Sequence, residues 1–289
     1  LILFIISFIF LSLVPFIGVE VKGSKRWIDL AMFPRFQPIE LLKPFLIVAL
    51  SALLTTEKIH NNYLKFILSL ILILPILVFL SFQPDIGQTT LVILVWLSLI
   101  FISGVNLIIF FGSFFASTGI LSYIILTFTK FDYIKIRLIS FFSPSKGNNY
   151  QSERASEAIT NGGLFGKGIG EGTLNSKVPE AHTDYIISVI SEEFGIIIVV
   201  LIMIVFLFLA FQVMKKIDSE IDSKIKLILL GSITLILLQT FIHIGVNIRV
   251  LPTTGMTLPF LSYGGSSIIS TAIISGIILN FTKRNISIK

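Results

Sequence analysis

The amino-acid sequence predicts an all-α, polytopic membrane helix bundle of about eight transmembrane helices with one long extracytoplasmic loop. Hydrophobic residues make up 54% of the 289-residue chain and charged residues only 13%, whereas a soluble domain carries about 25% charged residues. Apolar runs long enough to cross about 30 Å of hydrocarbon recur along the chain. A mean hydropathy of +0.96 agrees with this class, and no strand pattern competes with the helices.

The predicted spans follow from the apolar runs in chain order. The charge-free run 86–129 would form a helix of about 66 Å, far too long for one crossing. Its natural break is the Gly-Val-Asn of residues 104–106, which divides it into two spans. The eight spans lie at 1–19, 41–56, 64–82, 88–104, 107–128, 186–214, 227–248 and roughly 258–282.

Residues 130–185 form the long loop, which is rich in both basic and acidic side chains. We interpret the chain as one transmembrane domain, 1–289, that includes this loop. Within it, 152–160 predicts a helix with Ser152 as its N-cap and with residues 161–163 as its end. Lys and Arg in the short connections are more numerous on the side of the termini, which favours cytoplasmic termini and an extracytoplasmic loop.

The composition excludes several kinds of site. The chain has no cysteine, which rules out disulfides, thiolate metal sites and cysteine nucleophiles. The glycine-dense stretch 162–172 fits neither nucleotide-binding pattern, but its backbone and Lys167 are expected to approach a substrate closely. The net charge of +6 suits anionic lipid or phosphate, although many membrane proteins are basic. No nucleic-acid partner is predicted. The chain begins with Leu1 inside an apolar run, and we expect it to be a fragment.

Charged residues gather at the predicted outer ends of the spans. Arg26 stands beside a tryptophan, an arrangement that also suits a simple interfacial anchor. Glu40 and Lys43 are three residues apart and can pair on one helix face. Lys43 lies where the hydrocarbon begins, which makes it a functional candidate. Asp85 is either the cap of the next helix or a functional carboxylate, and both interpretations stay open.

The stretch "VPEAHTDYIISVISEEFG", residues 178–195, places several carboxylates at the entrance of a span. In a helix that starts near Asp184, Ser188 and Ser191 lie on the same face, and Glu192 lies about 12 Å deeper. This polar stripe predicts a cavity, since intramembrane carboxylates normally face one. Asp184 as a helix cap alone is the alternative. The stretch 251–267 is rich in proline and glycine and predicts a non-helical cavity wall.

Six stretches follow one another along the chain: "KGSKRWIDL", "FQPIELLK", "QPDIGQT", "NGGLFGKGIGEG", "VPEAHTDYIISVISEEFG" and "LPTTGMTLPFLSYGGSS". In this order they resemble the SEDS family (shape, elongation, division and sporulation) over essentially the whole chain. Ala181 before the His182-Thr183-Asp184 triplet, "VKGSKRWIDL" and Gln88 resemble the division branch more than the elongation branch. Thr254 departs from that branch, which commonly carries lysine there.

The resemblance implies a fold of ten helices, of which this chain would lack the first two. It implies polymerisation of lipid II at the outer face of the bacterial cytoplasmic membrane, at the division septum. The implied partners are lipid II, undecaprenyl pyrophosphate, a class B penicillin-binding protein and other membrane proteins of the division complex. A lipid II flippase and a non-catalytic scaffold for the penicillin-binding protein remain alternatives.

By the same resemblance, Asp184 matches the family's essential loop aspartate and would act as general base. Arg35 and Lys43 match functionally important cations that would contact phosphate. A divalent cation, Mg²⁺ or Mn²⁺, is an open expectation. The predicted substrate-binding residues are Arg26, Arg35, Glu40, Lys43, Lys167, Glu180, His182, Thr183, Glu192, Ser262, Tyr263 and Ser266.

Overall fold

The computed structural model describes residues 1–21, 24–30, 33–129, 132–142, 150–173 and 178–283. Most of these residues are helical, which confirms the predicted helical class. The helices are α1 (Ile2–Ile17), α2 (Pro38–Leu54), α3 (Asn62–Phe82), α4 (Ile86–Ile102), α5 (Leu107–Thr127), α6 (Asp132–Phe142), α7 (Tyr150–Gly162), α8 (Ile186–Phe194), α9 (Ile196–Ser219), α10 (Ser223–Asn247) and α11 (Gly265–Thr282).

A small antiparallel sheet joins α1 to α2, and the expectation of no strands is wrong here. Its strands are β1 (Val19–Val21), β2 (Ser24–Leu30) and β3 (Phe33–Phe36), in the order β1-β2-β3. Glu20 lies opposite Lys25 across the first pair, an opposite-charge pairing that stabilises a sheet. These strands are short and carry charged side chains. The alternation of apolar and polar residues that marks a strand is therefore hard to detect in the sequence beside the long apolar runs of the helices.

Among the described residues, five helices are long and apolar enough to cross a membrane: α3, α5, α9, α10 and α11. Helices α1 and α4 are also apolar but shorter, at 16 and 17 residues. Helix α2 has 17 residues and carries Glu40 and Lys43 in its first turns. The multi-pass membrane character predicted from composition is therefore confirmed.

Two predicted spans have different boundaries in the structure. Residues 186–214 do not form one helix, because the chain breaks at Gly195, between α8 and α9. The last span begins at Gly265 rather than near residue 258, and residues 251–264 are non-helical, as predicted for a cavity wall. Helix α7 ends at Gly162 as predicted, but it starts at Tyr150, so Ser152 lies inside the helix and is not its cap.

The chain divides into two compact units. The first comprises Leu1–Phe114, Leu209–Ile236 and Gly265–Lys289. Its core is built on α2, whose Ile39, Leu42 and Leu50 are fully buried. The second comprises Phe115–Phe208 and Leu237–Gly264. It contains the non-helical segment 251–264 and the described parts of the long loop, including α7, which packs along α8.

The predicted orientation can be tested with single cysteines, because the chain has none of its own. Thr160 on α7 and Ser219 at the end of α9 are both exposed. We expect Thr160→Cys to react with a membrane-impermeant maleimide in intact cells, and Ser219→Cys to react only after permeabilisation, because Lys and Arg are more numerous on the side of Ser219. The reverse labelling would invert the topology. Asn148, another suitable loop position, lies outside the described residues.

Candidate functional site

Asp184 lies in the turn of residues 180–185, which precedes α8 and which we call the aspartate turn. Within it, the carbonyl oxygen of Glu180 accepts hydrogen bonds from the backbone N–H groups of Thr183 and Asp184, both at 3.1 Å. Glu180 has a positive φ of 58°, a conformation that is uncommon for a residue with a side chain and that often marks functional sites. The N-cap of α8 is Tyr185 rather than Asp184.

Three successive backbone carbonyls of the aspartate turn are held by donors from a later part of the chain. The donors belong to the end of α10 and to the non-helical segment that follows it. His182 O accepts from the backbone N–H of Tyr263 at 2.9 Å, Thr183 O from Ser262 Oγ at 2.6 Å, and Asp184 O from Asn247 Nδ2 at 3.1 Å. The backbone that carries the carboxylate is therefore fixed at three consecutive positions.

Asn247 is the centre of this attachment and is fully buried. Its Nδ2 also donates to His243 O at 2.9 Å, and its Oδ1 accepts from Ser188 Oγ at 3.1 Å. One turn earlier on α10, His243 Nδ1 lies 2.7 Å from Met256 O. One face of α10 thus binds both the aspartate turn and the non-helical segment, which places the two next to each other.

The Asp184 side chain lies against Gly255. A Cβ atom at Gly255 would lie 3.4 Å from Asp184 Oδ2, and the glycine has a φ of 72°. Both residues line a small cavity of about 30 Å³, the aspartate cavity, together with Arg137, Gln151 and Thr253 among others. A cavity of this size can hold a small polar group, so it has room for a hydroxyl group beside the carboxylate.

The surroundings of the aspartate turn change the pKa of Tyr185, which is 2% exposed. Burial, together with the charge of Asp184, raises the pKa of Tyr185 to about 12, and the charge of Arg137 opposes this rise. Tyr185 is therefore a neutral phenol at physiological pH. The Asp184 carboxylate and the Arg137 guanidinium are therefore both close enough to influence Tyr185.

Sequence reasoning singled out neither Arg137 nor Arg249 as a site residue. Arg137 lies on α6 and donates from Nη1 to Thr253 O at 3.2 Å. It also lines a second cavity of about 340 Å³ together with Arg249; we call this the arginine cavity. It shares Arg137, Gln151 and Thr253 with the aspartate cavity. No local motif connects Arg137 with Asp184, since only the tertiary fold brings them together.

The polar stripe on α8 exists, but it faces protein. Ser188, Ser191 and Glu192 are all fully buried. Glu192 Oε1 accepts from Asn161 Nδ2 at 2.9 Å and from the backbone N–H of Thr173 at 3.0 Å. Glu192 therefore fastens the long loop to α8. Its predicted role as polar support is consistent with this position, and contact with substrate stays a prediction.

Residues 162–168, the glycine loop, pack against the break between α8 and α9. The N–H groups of Lys167 and Gly168 donate to the carbonyls of Glu192 and Glu193 at 2.9 and 3.0 Å, and Ile196 N–H donates to Gly163 O at 3.0 Å. The loop thus satisfies backbone groups that the two helix ends would otherwise leave unpaired. A close backbone approach was predicted, but here it is made to the protein's own helices, while the Lys167 side chain is exposed.

Other predicted residues divide into exposed and buried groups. Tyr263 is 81% exposed, and Glu180 and His182 are exposed beside it in the aspartate turn. Thr183 Oγ1 donates to Glu180 Oε2 at 3.0 Å. Ser262 is buried and attaches the turn through its hydroxyl. Ser266, in the first turn of α11, is buried and belongs to the first unit.

Within the first unit, the predicted cations form separate pairs. Lys43 Nζ lies 2.8 Å from Glu40 Oε1, and the two side chains are 2% and 4% exposed. Gln88 Nε2 donates to the same oxygen at 2.6 Å, so the predicted helical pair exists as part of a buried network. Arg35 pairs instead with Asp29, 2.7 Å away, and is 57% exposed.

Arg26 and Asp85 join the sheet to the turn between α3 and α4. Arg26 Nε donates to Gln83 O at 3.1 Å, and Arg26 Nη1 lies 3.6 Å from Asp85 Oδ2. Asp85 is the N-cap of α4, since its Oδ1 accepts from Gln88 N–H at 3.2 Å. The capping interpretation of Asp85 is therefore confirmed, and Arg26 has a structural partner in this turn.

Within the described residues, no group of three His, Asp or Glu side chains is placed to hold a metal ion. Asp184 is the single carboxylate among the residues that line the aspartate cavity. Mg²⁺ is commonly bound by one or two carboxylates together with substrate phosphates. Asp184 with the phosphates of a substrate fits that pattern, and a divalent cation stays a prediction.

The buried pair in α2 gives a prediction about stability. Lys43→Met leaves Glu40 charged and buried, and we expect the free energy of unfolding to fall by about 3–5 kcal/mol. The double variant Glu40→Gln/Lys43→Met should regain most of this loss. Thermal unfolding of the purified protein in detergent measures both variants. Arg35→Ala is the control, because an exposed pair contributes about 1 kcal/mol at most. Wild-type stability of Lys43→Met would show that the pair contributes little.

Comparisons with known proteins all match this chain to the same family. A model of the cell cycle protein family of FtsW, RodA and SpoVE matches residues 1–286. The "Probable peptidoglycan glycosyltransferase FtsW" of Caulobacter vibrioides is 36% identical over 93% of this chain and 68% of its own length. The protein of the same name from Haemophilus influenzae is 34% identical over 98% of this chain and 73% of its own.

Two solved structures resemble the fold. One is a chain from a study of polymerization and crosslinking by a peptidoglycan synthase complex, with a TM-score of 0.79, 26% identity, and coverage of 97% of this chain and 79% of that one. The other is the rod shape determining protein RodA of Thermus thermophilus, with a TM-score of 0.69 and 26% identity. The match covers 97% of this chain and 76% of the RodA chain.

Proposed function

We propose, since this chain belongs to the cell cycle protein family of FtsW, RodA and SpoVE, that it is a peptidoglycan glycosyltransferase. It polymerises lipid II into glycan strands at the outer face of the bacterial cytoplasmic membrane during cell division. The observation that carries the proposal is Asp184, whose fixed backbone holds a carboxylate in a hydroxyl-sized cavity that also contains Arg137.

Asp184 is the general base of the reaction. The 4-hydroxyl of the acceptor sugar attacks the anomeric carbon of the donor and forms the new glycosidic bond. Its proton passes to the Asp184 carboxylate as the bond between the anomeric carbon and the lipid pyrophosphate breaks. A carboxylate needs to be within hydrogen-bond reach of that hydroxyl, and the aspartate cavity has room for one such group.

Positive charge near Asp184 stabilises the departing pyrophosphate. Arg137 lines both the aspartate cavity and the arginine cavity, so the base and a cation border the same space. Preorganised cations at the point where negative charge develops lower the barrier of such transfers. Arg35, exposed on β3 in the first unit, stays a predicted phosphate contact, and Lys43 supports the start of α2 from within its buried pair.

A class B penicillin-binding protein is the proposed partner, and the division septum is the proposed location. A structural relative comes from a peptidoglycan synthase complex, and similar proteins carry the name of the division member. Only 6% of the apolar part of α5 is buried within the protein, so this helix has apolar surface available for lipid or for a partner's transmembrane helix.

The test of the proposal is polymerisation by the complete protein purified with its penicillin-binding protein and supplied with lipid II. We expect glycan strands, resolved by gel electrophoresis. Transport of a fluorescent lipid II across proteoliposomes without polymer would support a flippase instead. Neither activity, with the partner still bound, would support a scaffold.

A further inference from the structure

Arg249 lies between two cavities of opposite character. On one side is the arginine cavity, which Arg249 lines together with Arg137, Tyr150 and Thr253. On the other side is an open cavity of about 560 Å³, the polar groove, lined by Arg249 and by polar residues of α7 and the loop after it. Both volumes are in the range of small-molecule sites. A ligand that passes Arg249 would occupy both cavities.

The charges that line the two cavities differ in sign. The described residues lining the arginine cavity include two arginines and no acidic side chain. The polar groove carries Glu153 and Glu157 together with hydroxyl and amide groups. A complementary ligand is therefore anionic at one end and rich in hydrogen-bonding hydroxyl or amide groups at the other. A pyrophosphate joined to a sugar has this distribution.

Arg249 itself is held in an unusual conformation. It lies two residues after the end of α10 and has a φ of 60°. This backbone region costs free energy for residues with a Cβ and is often found at ligand sites. Its backbone N–H donates to Val246 O at 3.2 Å. Among the described residues, its guanidinium forms no ion pair or side-chain hydrogen bond, so its donors remain available to a ligand.

We propose that Arg249 and Arg137 bind the pyrophosphate of a lipid-linked sugar in the arginine cavity, and that the polar groove binds the attached sugar and its substituents. The fork of a guanidinium matches phosphate oxygens in a bidentate manner. Because Arg137 also borders the aspartate cavity, this arrangement places the pyrophosphate near Asp184. The inference rests on the proposed function and identifies the residues that recognise its donor substrate.

Binding of two probes tests the proposal separately from turnover. Farnesyl pyrophosphate carries the pyrophosphate without a sugar, and a short-chain lipid II analogue carries both. Titration calorimetry on the complete protein in complex with its partner measures both dissociation constants. We expect Arg249→Gln to weaken both probes about 10- to 100-fold, the effect of losing hydrogen bonds to a charged group. Arg249→Lys should bind both probes with affinities between those of the wild type and Arg249→Gln, since a lysine keeps the charge but lacks the forked guanidinium.

A second variant separates the two cavities. Thr160 lies on the wall of the polar groove, and Thr160→Tyr should fill it and weaken the lipid II analogue at least tenfold, with farnesyl pyrophosphate bound as before. Lys135→Gln is the matched control for lost charge, because Lys135 shares α6 with Arg137, pairs with Asp132 and lines neither cavity. It should bind both probes like the wild type.

Each outcome decides a part of the proposal. Unchanged affinity for farnesyl pyrophosphate in Arg249→Gln, or an equal loss in Lys135→Gln, would overturn the arginine site. Equal weakening of both probes by Thr160→Tyr would overturn the sugar groove. The wild-type protein could also fail to polymerise lipid II while Arg249→Gln still weakens the binding of farnesyl pyrophosphate. That result would refute the proposed function but would support the pyrophosphate site.

Discussion

Asp184→Asn is expected to lower the rate of lipid II polymerisation by about 10²–10⁴-fold, the usual contribution of a general base. The substitution keeps the size of the side chain and removes its ability to accept the hydroxyl proton. The backbone bond from Asn247 to Asp184 O does not involve the carboxylate, so the turn should keep its shape. Glycan product measured over time with the purified complex gives the rate.

Three further measurements decide between a base and a structural carboxylate at position 184. The variant should accumulate, unfold at the wild-type temperature and co-purify with its penicillin-binding protein. Asp218→Asn is the control, because it makes the same change at an exposed position at the end of α9 and should polymerise normally. Wild-type turnover by Asp184→Asn would remove the catalytic role; lost turnover with lost stability would make Asp184 a structural residue.

Gly195→Ala is expected to lower the stability of the folded protein strongly. Gly195 has φ 84° and ψ 169°, a conformation essentially restricted to glycine and costing other residues about 1–3 kcal/mol. An added Cβ would also overlap the carbonyl oxygen of Leu164 in the glycine loop. We therefore expect the free energy of unfolding to fall by about 3 kcal/mol or more, measured by thermal unfolding in detergent.

Gly276→Ala provides a matched control in α11. No atom lies within 4 Å of a Cβ built at this glycine, and alanine favours a helix over glycine by roughly 0.5–1 kcal/mol. Gly276→Ala should therefore unfold at or slightly above the wild-type temperature. If Gly195→Ala matched it, the glycine loop would have to shift without loss, and the close packing at the break would be unnecessary for stability.

The positions of most helices were predictable, because a membrane span needs a long apolar run and each run is visible in the sequence. The break at Gly195 was not, since a glycine within an apolar run is also compatible with a continuous span. Its signal lies elsewhere, in the glycine loop, whose Gly162 and Gly166 leave no room for a Cβ against Ser191 and Glu193. That relation depends on packing between segments and is absent from local sequence.

Parts of the candidate site were predictable for a similar reason. The pairing of Glu40 with Lys43 follows from helical spacing, and Asp184 stood out as a carboxylate at the entrance of a span. The contribution of Gln88 to that pair spans 48 residues, and the bond from Arg137 to Thr253 spans 116. Contacts over such distances follow from the tertiary fold, which spacing along the chain does not encode.

The attachment of the aspartate turn has a consequence for biosynthesis. The donors that hold His182, Thr183 and Asp184 belong to Asn247, Ser262 and Tyr263, which the ribosome adds more than 60 residues later, as the 63-residue separation of Asn247 from Asp184 shows. Because chains emerge from their N-terminal end, the aspartate turn leaves the ribosome well before the residues that hold it. The geometry of the aspartate turn is therefore completed only after α10 and the following segment are made, so an unfinished chain carries Asp184 but not the contacts that hold it.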